Sequence, residues 1–67
     1  MTAVQQVYAD LRHLIVEMSL PPGTVISKKS IAERYGISQT PVREALILLE
    51  EEGLVDIFPQ SRTEVSY

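Results

Sequence analysis

The chain has 67 residues, no cysteine and a formal charge of −3 from nine acids and six bases, so it makes one small domain with a barely sufficient core. Disulfides and thiolate metal sites are excluded, and a deep catalytic cleft is not expected. The lack of cysteine fits a reducing cytoplasm, no apolar run approaches the roughly 18–20 residues of a membrane span, and the N-terminus lacks the pattern of a signal peptide; the expectation is a cytoplasmic protein with no membrane partner.

Apolar residues at Val4, Val7, Tyr8, Leu11, Leu14, Ile15 and Met18 follow the spacing of one helical face and predict a helix over 3–18. The opposite side carries Gln5, Gln6, Asp10, Arg12, His13 and Glu17, which reads as a solvated surface. His13 is the single histidine, and Glu17 alone at i+4 does not complete a ligand set, so neither metal nor cofactor is expected. Pro21 disfavours helix at Leu20, and Pro22 with Gly23 supplies turn chemistry. Thr24, Val25 and Ile26 then read as a short edge strand, since β-branched residues favour extended backbone.

Ser27 is placed to cap a helix over 28–35 with Ile31, Ala32 and Tyr35 inward, and Gly36 stops it in the left-handed conformation. Ile37 returns the chain to the core. A further helix over 39–52 opens at either Ser38 or Thr40 and is closed by Gly53; a cap at Thr40 would put Pro41 in the first helical position. Val42, Ala45, Leu46 and Leu49 form its inner stripe, leaving Gln39, Thr40, Arg43, Glu44 and Ile47 outward. Two helices joined by a sharp turn, with Ser, Gln, Thr and Arg grouped where the second begins, have the layout of a helix-turn-helix whose second helix reads bases. Gln pairs bidentately with adenine and Arg with guanine. Double-stranded DNA is therefore the expected partner, through Lys28, Lys29, Ser38, Gln39, Thr40 and Arg43.

The negative net charge opposes this reading, because phosphate neutralisation supplies most non-specific affinity. Its distribution does not: residues 27–43 hold Lys28, Lys29, Arg34 and Arg43 against Glu33 alone, while Glu50, Glu51 and Glu52 form a solvated run at the far end of the last helix.

Leu54 to Phe58 reads as a strand and Thr63 to Tyr67 as its partner, joined through Pro59, Gln60, Ser61 and Arg62. A ribbon over 54–67 after such a helix pair is the wing of a winged helix. The fold expected is mainly α with a small β wing: three helices plus a two- or three-stranded antiparallel sheet. Arg62, at or near the wing tip, has three options: a narrow minor groove, a phosphate, or solvent.

The run LPPGTVIS followed by IAERYGISQTPVREALILLEEEGLVDI resembles the N-terminal DNA-binding domain of the GntR family of bacterial transcription regulators, closest to its FadR-like branch, from about Val7 to Val65. The PPGT and TPVREAL segments make the likeness specific. It implies a homodimer on a palindromic operator, regulated as a repressor by a small-molecule effector that a helical C-terminal domain binds; residue 67 is where such a domain would begin, so the chain reads as a fragment rather than a natural single-domain protein. Arg43 matches the arginine of the family's VRE motif and Thr40 the threonine before its proline. Lys29 stands where many relatives have arginine, Gln39 replaces a common arginine, and Arg62 falls near the wing glycine, which puts the tight wing turn in doubt.

Ile47 and Leu48 leave the last helix apolar on nearly every side. The expectation is that at least one meets the first helix, a second subunit or the absent domain; two isolated exposed aliphatics are the alternative. These residues and the net charge motivate a second functional reading, a winged-helix protein-interaction module without DNA binding. No spacing assembles a nucleophile, base and orienter, so an enzyme is not expected.

Overall fold

The computed structural model describes residues 1–59 and 62–66. Its elements run α1 (Ala3–Val16), β1 (Val25–Ile26), α2 (Lys28–Tyr35), α3 (Gln39–Glu51), β2 (Val55–Phe58) and β3 (Arg62–Val65).

A capping box that apolar spacing does not reveal fixes the start of α1. The Thr2 hydroxyl accepts from the Gln5 amide at 3.1 Å, and the Gln5 side chain accepts from the Thr2 amide at 2.9 Å. The helix ends at Val16, two residues short of the expected 3–18. Pro21 is not what stops it. Met18 turns left-handed at φ 64°, and the Ser19 amide closes back on the Leu14 carbonyl at 2.9 Å. Gly36 and Gly53 make the same six-to-one closure after α2 and α3, through Ile37 to Ala32 and Leu54 to Leu49. A side chain in that conformation costs about 1–2 kcal/mol relative to the right-handed form. Met18 is consequently an exposed terminator rather than a core residue, and Leu20 packs on the core in its place.

The two candidate starts of α3 resolve to Ser38, whose backbone is extended while Thr40 is helical. Its hydroxyl makes no capping bond. The caps of α1 and α2 use the amide of the third helical residue; in α3 that residue is Pro41, which has no N–H.

Val7, Leu11 and Ile15 of α1 pack on Val42, Ala45, Leu46 and Leu49 of α3, and Ala32, Ile26, Leu54, Val55 and Val65 complete the core. The sheet is three-stranded and antiparallel in the order β1-β3-β2, with Val25 opposite Glu64 and Phe58 opposite Arg62. Ile26, Thr63, Val65 and Val55 face inward, as strand alternation requires. The expected second wing strand, Thr63 to Tyr67, is corrected to Arg62–Val65, so Arg62 belongs to the ladder and not to the connecting turn. Gln60, Ser61 and Tyr67, part of the expected wing, lie outside the described residues.

Two polar links correct the reading of purely solvated faces. The Tyr35 hydroxyl donates to Asp10, joining α2 to α1. Glu52, far from idle, accepts from the Tyr8 hydroxyl and pairs with Arg12 at 3.1 Å, while Glu50 accepts from the Ile57 amide at 3.2 Å and ties α3 to the wing. The Tyr35 bond, then the Gln6 bond, hold the Asp10 carboxyl below its ordinary range; the Tyr8 bond, then Arg12, do the same for Glu52. A depressed carboxylate pKa contributes stability above its unfolded value, near 4, that is lost as pH falls through the lower folded value. Urea titrations of wild type and Tyr35→Phe are expected to show the variant less stable at neutral pH, with the gap closing as pH falls from about 5 to 3. A constant gap would contradict the Asp10 assignment.

Candidate nucleic-acid interface

Helices α2 and α3 meet across Gly36, Ile37 and Ser38, the left-handed glycine at φ 67° making the turn short. With one side of α3 committed to the core, helical periodicity places Thr40, Glu44, Ile47 and Glu51 along the opposite side, flanked by Gln39 and Arg43. All six are exposed. The helix has 13 residues, about 20 Å at 1.5 Å per residue, and its diameter suits the roughly 12 Å width of a B-DNA major groove.

The charges sort by position. Among the described residues, Arg12 and Arg62 are in salt bridges, with Glu52 and Glu64, and the His13 ring lies 2.8 Å from the Glu17 carboxylate. Lys28, Lys29, Arg34 and Arg43 are in none, and all four belong to the helix-turn-helix. Lys28 and Lys29 sit in the first turn of α2, which has no acid, and so face the positive end of the helix dipole at a cost of about 0.3–1 kcal/mol each. Such an arrangement gains most from an anion brought from outside. At the start of α3, the Ser38 hydroxyl, uncommitted as a cap, lies beside the first backbone amides of the helix, which have no intrahelical partner.

A groove of about 440 Å³ separates the helix pair from the wing, lined by Lys28, Arg43, Ile57, Phe58, Arg62 and Thr63. It brings the candidate cations of all three elements to one side of the molecule. Lys29, Ser38, Gln39 and Thr40 are not among its lining residues. Arg62 departs most from expectation: its Nε donates to Glu64 at 2.5 Å and its guanidinium lies 4.4 Å from the centre of the Phe58 ring. Sequence reasoning missed Glu64 and Phe58 as the partners of Arg62. Once the strand is placed, the i, i+2 spacing of Arg62 and Glu64 puts them on one face, so the signal was present but depended on the boundary.

Ile47 and Leu48 remain 40% and 42% exposed, and neither joins the core. Ile47 borders a smaller groove with Lys28, Arg43, Leu46, Glu50 and Ile57. Among the described residues, no three or more His, Asp or Glu side chains converge as a metal site, and no helix is long and apolar enough to cross a membrane.

The family profile described as "Bacterial regulatory proteins, gntR family" matches residues 3–65. This chain belongs to the gntR family. It is 45% identical over 62 residues to the HTH-type transcriptional repressor RspR of Escherichia coli (strain K12), covering 92% of this chain and 27% of that protein. It is 44% identical over 62 residues to an uncharacterized HTH-type transcriptional regulator in an unstable DNA locus of Streptomyces ambofaciens, covering 92% and 26%. Among solved structures, "E. coli McbR/YncC" superposes with a TM-score of 0.89 at 35% identity, covering 98% of this chain and 31% of that one. The chain thus spans about a quarter of the length of the curated relatives it matches. Its fold is the winged helix-turn-helix of gntR regulators, and the relatives are transcriptional regulators, not enzymes.

Proposed function

We propose that this gntR-family domain binds double-stranded DNA sequence-specifically, laying the N-terminal half of α3 in the major groove. One observation carries the proposal: among the described residues, the lysine and arginine side chains free of salt bridges all lie between residues 28 and 43, on the helix-turn-helix, while the arginines elsewhere, Arg12 and Arg62, are paired. In this reading Gln39 and Arg43 contact base edges, and Thr40 touches a phosphate or a thymine methyl. Ser38 and the first amides of α3 take one phosphate, and Lys28 and Lys29 others. Glu44 shares the reading face, where a carboxylate accepts from the amino group of cytosine or of adenine. Glu52 repels little, being bonded to Tyr8 and paired with Arg12 at the end of α3 away from its N-terminus, whereas Glu50, bonded to the Ile57 amide, borders the smaller groove with Lys28 and Arg43 and opposes phosphate there.

In the whole regulator the expected arrangement is a cytoplasmic homodimer on a palindromic operator, acting as a repressor. Half-sites would lie about 34–36 Å apart or multiples of that. A helical C-terminal domain of the FadR-like kind would bind the effector. One winged helix covers one half-site, so joining two raises the effective concentration of the second, and an effector that alters their separation controls occupancy.

Selection of this chain against random duplexes tests the proposal. A single enriched motif, bound less tightly as salt rises, is the expected result. No enrichment even at low salt, together with a stable protein complex through Ile47 and Leu48, would favour the interaction-module reading instead.

A further inference from the structure

Arg62 is the only basic residue between Leu54 and Tyr67, and it is already occupied. The strand register explains how. Arg62 and Glu64 are alternate residues on the outer face of β3, and Phe58 stands directly opposite Arg62. On the same face Glu64 stands directly opposite Asp56, a like-charge cross-strand pair that costs stability unless a cation lies beside it. Arg62 is that cation. Glu64 is one strand repeat farther from the connection between β2 and β3 than Arg62 is, so their bond draws the guanidinium back along the sheet instead of beyond the strand end. The Phe58 ring holds it there by cation–π contact.

We propose that Glu64 and Phe58 keep Arg62 off the DNA, so that the one basic side chain of the wing makes no phosphate contact while the Glu64 carboxylate is present. The inference rests on the DNA-binding reading above. Moving Arg62 from Glu64 to a phosphate exchanges one exposed ion pair for another. It also forfeits the stacking on Phe58 and leaves Asp56 and Glu64 facing each other without a counter-charge. Counterion release from the phosphate favours the exchange, and the loss of the ion pair, the ring contact and the shared counter-charge outweighs it. Glu64 is a positioning residue: it sets affinity by holding a cation, without touching DNA itself.

The test is a double-mutant cycle with the 67-residue chain: wild type, Glu64→Gln, Arg62→Ala and the double variant, each titrated with one selected duplex at several salt concentrations. Gln keeps the size of Glu, and a thermal melt of each variant verifies folding. Glu64→Gln is expected to bind about three- to tenfold more tightly, with a salt slope steeper by about 0.9, the mark of one added phosphate contact. Arg62→Ala is expected to change wild-type binding by less than about twofold, and to abolish the whole gain in the Glu64→Gln background. A gain that persists without Arg62 would overturn the proposal, since it would come from removing a negative charge alone. So would a loss in Arg62→Ala as large as that in Arg43→Ala, which would place Arg62 on the DNA already. If binding depends on Arg43 yet Glu64 and Arg62 show no coupling, only this inference fails. If no folded variant binds any duplex at low salt, the DNA reading fails and takes the inference with it.

Discussion

Arg43→Ala is expected to weaken binding to the selected operator by about 1–3 kcal/mol and to relax preference at one base pair. The side chain is exposed, in no salt bridge among the described residues, and lies in the second turn of α3 on the groove between helix pair and wing. Its removal opens no cavity, so the melting transition should hardly move; surface substitutions of this kind stay within about 0.5 kcal/mol. Loss of affinity without loss of fold is the signature of a contact residue. Lys29→Ala provides the contrast, because losing a lysine from a phosphate weakens binding to all sequences alike and lowers the salt slope by about 1. Anisotropy titrations over duplexes that differ at single positions separate the two. If Arg43→Ala lowers affinity equally for every duplex, Arg43 is a phosphate ligand and specificity resides in Gln39 or Thr40.

Leu49→Ala is expected to remove most of the fold's stability. Leu49 is fully buried on α3 at the heart of its packing against α1. Truncating such a leucine costs about 2–5 kcal/mol, whereas a domain of this size has about 3–10 kcal/mol in all, at roughly 0.05–0.15 kcal/mol per residue. No disulfide is available to offset the loss. Each kcal/mol lowers the melting temperature of so small a domain by about 4–8 °C, and the variant should be largely unfolded at growth temperature. Leu48→Ala, its neighbour with 42% exposure, should cost far less. Thermal denaturation followed by circular dichroism measures both. Equal, small losses would mean that the α1–α3 contact is not the main source of stability.

The helix-turn-helix was legible because its signals are local. Ser27 and Gly36 bracket α2 in a way that depends on hydroxyl geometry and on the tolerance of glycine for positive φ, and Val42, Ala45, Leu46 and Leu49 repeat with the helical period. What sequence reasoning missed depends on long-range pairing or on unusual local conformations. Met18 adopts a glycine-like conformation that its residue type does not announce. The bonds of Asp10 to Tyr35 and of Tyr8 and Arg12 to Glu52 join residues 25 to 44 positions apart, so a polar helix face that reads as solvated turns out to be a bracing surface. At the candidate site, charge and position singled out Lys28, Arg43 and Arg62, which the structure places on one groove. The engagement of Arg62 was not, because it follows from one residue of strand register: in the turn Arg62 would be free, and in the ladder it lies between Glu64 and Phe58.

The most direct measurement is an amide-resolved titration of the chain with its selected duplex. The largest shifts are expected at Gln39, Thr40 and Arg43, with smaller ones at Lys28 and Lys29 and almost none at Glu52. Resonances of Gln39, Thr40 and Arg43 that stay still while the duplex binds would contradict the placement of α3 in the major groove.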